Sequence, residues 1–126
     1  FGSSILLSRM EDMLLLRAEA LAVLNRVDDA VEQLNLLRVK RGLSQVSFKK
    51  NFGEDVNKLI DNIFAERRRE LIGEGHRWYD LIRRQRILQG GPDFLARMEN
   101  GGIYWPVSEE VIRQNNLIRQ NEYWNN

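Results

Sequence analysis

Apolar residues recur at spacings of three and four along the start of the chain. Ile5, Leu6, Met10, Met13, Leu14, Ala18, Leu21 and Ala22 form one helical stripe. Ser3 and Ser4 stand where a helix cap is wanted, so the pattern predicts a helix from there to about Asn25. Leu7, Leu15 and Leu16 widen the stripe, which implies packing on more than one side. The turn "NRVDD" leads into a second helix that starts at Asp28 or Asp29 and runs to about Arg41. Its inward positions are Val31, Leu34, Leu37 and Val39, and Gly42 closes it. Two helices joined so tightly form an antiparallel hairpin.

The segment "LSQVSFKKNFG" reads as a connector. A third helix starts near Glu54, with Val56, Leu59, Ile60, Ile63, Phe64 and Leu71 as its apolar positions; Gly73 and Gly75 weaken its end. A fourth, shorter helix holds Trp78, Leu81 and Ile82 and fades near Arg86. Beyond it "QGGPDFLARMENGG" is loop, with a turn of helix around Phe94–Met98. "IYWPV" is extended, because Trp105 precedes a proline. Ser108 caps a short helix with Glu109 and Glu110 in its first turn, and the tail "NNLIRQNEYWNN" is polar and turn-like. No strand pairing is evident. The expected class is all-α.

Bulk numbers narrow the function. The 126 residues make one domain or part of a larger one, and 43% hydrophobic residues support a packed core. A net charge of +1 argues against a dedicated polyanion binder. Without cysteine there is no disulfide, thiolate metal site or thiol nucleophile. One histidine rules out a multi-histidine metal site within the chain, so no cofactor or metal is expected. No apolar run approaches the roughly 20 residues of a membrane helix. The chain begins at Phe1 with no visible signal peptide, and it reads as a piece of something longer.

Residues 66–86, "ERRRELIGEGHRWYDLIRRQR", hold seven arginines and four acids. With Ile60 at zero on a helical wheel, Phe64 falls near ~40°, Leu71 near ~20° and Ile63 near ~300°. Arg67, near ~340°, lies inside that apolar stripe, whereas Arg69 points to solvent near ~180°. If the helix continues through the glycines, Glu74 and Trp78 lie inside the stripe too. Buried charges need partners. The spacing offers Glu70 for Arg67, Arg77 for Glu74, and Asp80 for Arg83 and Arg84. The favoured reading is therefore a structural ion-pair network of Glu66, Arg67, Glu70, Glu74, Arg77 and Asp80. A nucleic-acid patch is disfavoured because the acids interleave with the arginines. Catalysis by Glu70 or Glu74 is disfavoured because neighbouring arginines favour the ionised carboxylate, the opposite of what a general acid requires.

His76 has no second histidine to work with, and Trp78 and Tyr79 read as core. Tyr104, Trp105, Tyr123 and Trp124 lie in irregular segments, beside Asn100, Asn115, Asn116, Gln120 and Asn121. Aromatic faces next to amides suit a neutral sugar, whose C–H faces stack while its hydroxyls hydrogen-bond. These four aromatics are the candidate ligand contacts. The competing reading, which the sequence favours, is that the loop and tail bury the rings against the helices.

Four segments in this order, "SRMEDMLLLRAEAL", "AVEQLNLLRVKRGL", "IFAERRRELIGEGHRWYDLIRR" and "YWPVSEEVIRQNNLIRQNEYW", resemble the carboxy-terminal portion of the SusD/RagB family. The resemblance runs from about Ile5 to Trp124. It implies an α-helical fold built on tetratricopeptide-like helical pairs, with Glu66, Arg67, Glu70, Glu74, Arg77, Trp78 and Asp80 matching a structural signature. It also implies a non-catalytic, lipid-anchored protein on the outer membrane surface, with the lipidated cysteine in an amino-terminal segment absent from this chain. Such proteins capture glycans, sometimes peptides, and deliver them to a TonB-dependent, SusC-like transporter. Ligand sites vary across the family, so the resemblance itself assigns no ligand residue. The alternative from another class is a free-standing helical-hairpin module for a protein or peptide partner. A nucleic-acid adaptor comes third, and it requires a continuous basic face.

Overall fold

Helices are the only regular elements among the described residues, 8–125, of this computed structural model. They are α1 (Met10–Val23), α2 (Val27–Lys40), α3 (Phe48–Phe52), α4 (Val56–Glu70), α5 (Arg77–Ile87), α6 (Pro92–Glu99) and α7 (Glu109–Gln114), followed by a 3-10 turn at Glu122–Trp124. The class is all-α, as the periodicity implies.

By its internal contacts the chain divides into two compact units, Phe1–Arg84 and Gln85–Asn126. In the first, α1 and α2 are joined by three residues and pack as a hairpin, and α4 lies against α1. Leu15, Ala18, Leu21 and Ala22 of α1 meet Ala30, Val31, Leu34 and Leu37 of α2, and Leu59, Ile60, Ile63 and Phe64 of α4 complete the core. Small residues at 18, 22 and 30 allow the helices close approach.

The expected caps Ser3 and Ser4, with Ile5, Leu6 and Leu7, lie outside the described residues. α1 itself begins at Met10, with Arg9 extended at its N-cap. Met10 and Met13 are exposed and Leu15 is fully buried, so the true inward stripe is rotated from the expected one. Val39 is likewise exposed. The connector contains a helix that its composition hides: Ser47 accepts a hydrogen bond from the Lys50 N–H and starts α3, which buries Phe52. The Asn35 side chain holds this connector to α2 by pairing with both the N–H and C=O of Val46, each at 2.8 Å.

α4 starts at Val56, two residues after Glu54, because Asp55 caps it through the N–H groups of Asn57 and Lys58. It does not continue through the glycines. It ends at Glu70, and Gly73 and Gly75 adopt φ of 81° and 80° in a turn that re-aims the chain into α5. The wheel therefore breaks after Leu71. Glu74 stands half-exposed, and Trp78 and Tyr79 are 38% and 68% exposed rather than core.

In the second unit Pro92 opens α6, and Ser108 caps α7 through the Val111 N–H. No described residue of this unit is fully buried. Its loops are held by amides instead. Gln120 pairs with both the N–H and C=O of Val107, at 2.9 and 2.8 Å, and Asn121 donates to the Gly101 carbonyl at 3.1 Å.

Candidate functional site

Two groupings of the sequence candidates can be followed in space. The first is the charged stretch. Arg67 projects from the buried face of α4, with 2% of the residue exposed. Its Nη1 donates to Asp12 Oδ1 at 2.8 Å, and its Nε reaches both carboxylate oxygens of Asp80 at 3.1 Å. Asp80 also accepts from Arg83 Nη2 at 2.9 Å, and Arg83 forks onto both oxygens of Glu19. The result is an alternating chain, Asp12–Arg67–Asp80–Arg83–Glu19, that joins α1, α4 and α5. Asp12 and Glu19, seven residues apart, occupy one buried face of α1. The Arg83 guanidinium also lies 5.5 Å from the centre of the Phe64 ring. Hydrogen bonds to Glu19 raise the Arg83 pKa and hold it charged.

A second web surrounds Glu70. Arg41 Nη2 donates to it at 2.5 Å and Arg9 Nη1 at 2.6 Å. Arg9 also reaches Glu74 and the Glu70 carbonyl, and Glu11 lies within ion-pair reach of both arginines. The hydrogen bond from Arg41, then that from Arg9, pulls the Glu70 carboxyl below its ordinary range. Glu66 is 5% exposed and accepts from Arg38.

The local pairing expected from spacing is thus mostly replaced. Glu70 does not serve Arg67, and Arg84 pairs with Asp61 at 2.7 Å rather than with Asp80. Arg77 has no ion pair among the described residues, so the expected Glu74–Arg77 link is not made. Only Asp80–Arg83 keeps its short-range spacing. The partners that sequence reasoning missed include Arg9, Asp12, Glu19, Arg38, Arg41 and Asp61. The signal for two of them was present: Asp12 and Glu19 interrupt an aliphatic helix on its inward side.

The second grouping is the aromatic loop and tail. A concavity of about 720 Å³ is lined by Glu99, Asn100, Gly101, Tyr104, Asn121, Glu122 and Tyr123. Tyr104 and Trp105 are 63% and 75% exposed. Tyr123 is half-buried, and its ring passes so close to Gly102 that a Cβ there would lie 2.8 Å from it. Trp124 meets Tyr123 edge-on at 5.0 Å and donates its Nε1–H to the Tyr104 carbonyl at 2.9 Å. The structure brings Tyr104, Tyr123, Asn100 and Asn121 to one concavity; Trp105 and Trp124 do not line it. Gln120 is occupied with Val107, and Asn115 accepts from the Leu117 N–H. Glu99 and Glu122, absent from the sequence candidates, add two carboxylates that have no ion pair among the described residues. No group of acids and histidines among the described residues is arranged to hold a metal ion.

Comparison with known proteins agrees with this architecture. The SusD family model matches residues 2–94. A SusD-like protein of Formosa agariphila is 36% identical over 128 residues, which cover 94% of this chain and 24% of that protein. A crystal structure of a SusD superfamily protein from Bacteroides thetaiotaomicron superposes with a TM-score of 0.84 at 58% identity, covering 98% of this chain and 27% of that one. The chain therefore spans about a quarter of the length of the relatives it matches. On the family match and on both relatives, this chain belongs to the SusD family.

Proposed function

We propose that the chain is the carboxy-terminal part of a longer, non-catalytic protein on the outer membrane surface that captures glycan nutrient. In this reading an amino-terminal lipid anchor holds the protein there, and the captured oligosaccharide passes to a TonB-dependent, SusC-like transporter. Family membership supports the capture role. The observation that carries it in this chain is the loop concavity, where Tyr104 and Tyr123 stand beside Asn100, Asn121, Glu99 and Glu122. Ring faces take the apolar side of a sugar, while amides and carboxylates take its hydroxyls. Catalysis has little to work with. The buried carboxylates Asp12, Glu19 and Asp80 are held by arginines, which keep them ionised rather than poised as general acids.

Binding of the full-length protein to immobilised polysaccharides tests the reading. Tyr104→Ala is expected to weaken glycan affinity about tenfold, a loss of ~1.4 kcal/mol, with no change in melting temperature. If the variant instead melts early and binds normally, the Tyr104 ring is a packing residue in the longer protein and the ligand site lies outside residues 1–126. Co-purification with a SusC-like transporter tests delivery separately.

A further inference from the structure

Two concavities open beside α4 and α5 within the first unit. One, of about 280 Å³, is lined by the last turn of α4 and the turn that follows it; the other, of about 290 Å³, lies between α4 and α5. Arg68 and Arg77 line both. The acids that border these spaces are already held: Asp80 by Arg67 and Arg83, and Asp61 by Arg84. The side chains of Arg68, Arg77 and His76 have no hydrogen-bond or ion-pair partner among the described residues. Of the other arginines on these helices, Arg67, Arg69, Arg83 and Arg84 each meet a carboxylate, whereas Arg86, away from both spaces, meets none among the described residues. Arg68 and Arg77 are both exposed, so their charges meet solvent and an anion reaches them from either space.

We infer that this double concavity is an oxyanion site, in which Arg68 and Arg77 grip a carboxylate or sulfate group carried by a ligand. The planar fork of each guanidinium matches the oxygens of either group. His76 adds an N–H donor from the turn, and Leu71 and Ile72 give an apolar wall for the carbon skeleton beside the charge. The site shares no residue with the aromatic concavity of the second unit and does not depend on the glycan reading given to it. A ligand carrying an acidic group, such as a uronate or a sulfated sugar, has the chemistry it recognises.

Calorimetric titration of the full-length protein with sodium sulfate, and separately with sodium glucuronate, tests this at ionic strength held constant with chloride. The expected result is saturable binding of at least one of the two anions. Arg68→Ala and Arg77→Ala each weaken it about tenfold or more, as loss of a charge-assisted pair implies, with an unchanged melting temperature. Arg119→Ala, in the second unit, leaves the binding as it was. Absence of saturable binding overturns the inference, as does saturable binding that persists in both α4–α5 variants. Early melting of those variants without anion binding also overturns it, because an acidic side chain of the longer protein then fills the space.

Discussion

At position 67 an arginine sits where the helix period calls for an aliphatic residue, and the fold surrounds it with carboxylates from two other helices. Asp12 and Asp80 are themselves 5% and 3% exposed, so each depends on the guanidinium to offset its loss of water. Arg67→Ala strands both acids in the core and is expected to destabilise the protein by about 3–5 kcal/mol. Glu74 is the contrasting case. Its side chain is 38% exposed and its partner Arg9 has Glu70 as well, so Glu74→Ala is expected to cost no more than about 1 kcal/mol. Denaturant titration of the two variants in the full-length protein checks the pair. Equal losses would mean that burial does not govern these charges.

At the level of elements, Glu70 fastens three chain ends that the hydrophobic core leaves loose. They are the extended residue before α1, the C-terminal residue after α2 and the last turn of α4. Hydrogen bonds from Arg41 and Arg9 depress its carboxyl pKa from the ordinary 4.5. A carboxylate with a depressed folded-state pKa stabilises the fold fully above the unfolded value, and this contribution is lost as pH falls through the folded value. Glu70→Gln should therefore melt below the parent at neutral pH, and the gap should close as the pH is taken below 4.5. Melting curves from pH 7 down to pH 3 read this directly, and a gap that widens on acidification would exclude the clasp.

Across the whole molecule, stabilisation is unevenly distributed. The first unit holds every fully buried described residue, including the aliphatic core and the ion-pair chain that crosses it. The second is held by capped short helices and by Gln120 and Asn121 acting as backbone clamps. Segments with little apolar burial open with small free energies. Amide exchange in residues 1–126 expressed alone should accordingly be slowest in α1, α2 and α4 and fast throughout α6, α7 and the 3-10 turn. Comparable protection in α6 and α4 would contradict this account. The irregular second unit also carries the exposed Tyr104 and Trp105, on loops that little apolar burial holds.

The sequence by itself determined the all-α class, the α1–α2 hairpin, the inward face of α4 and the anomalous position of Arg67. All of these follow from periodicity and capping, which act over a few residues. The wheel also placed Glu74 and Trp78 on the core face, and there it failed, because two glycines at positive φ ended the helix and reset the direction of every side chain beyond. The partners of the charges were not legible. Short-range spacing offered Glu70 to Arg67 and Arg77 to Glu74, but a long guanidinium reaches carboxylates on neighbouring helices as readily as those on its own. Tertiary packing alone decided that Asp12, Glu19 and Asp80 share one buried chain with Arg67 and Arg83, and that Tyr104 and Tyr123, nineteen residues apart by number, line one concavity. Helical periodicity is a property of adjacent residues, whereas the pairing of charges and the facing of rings depend on which helices and loops come to lie together.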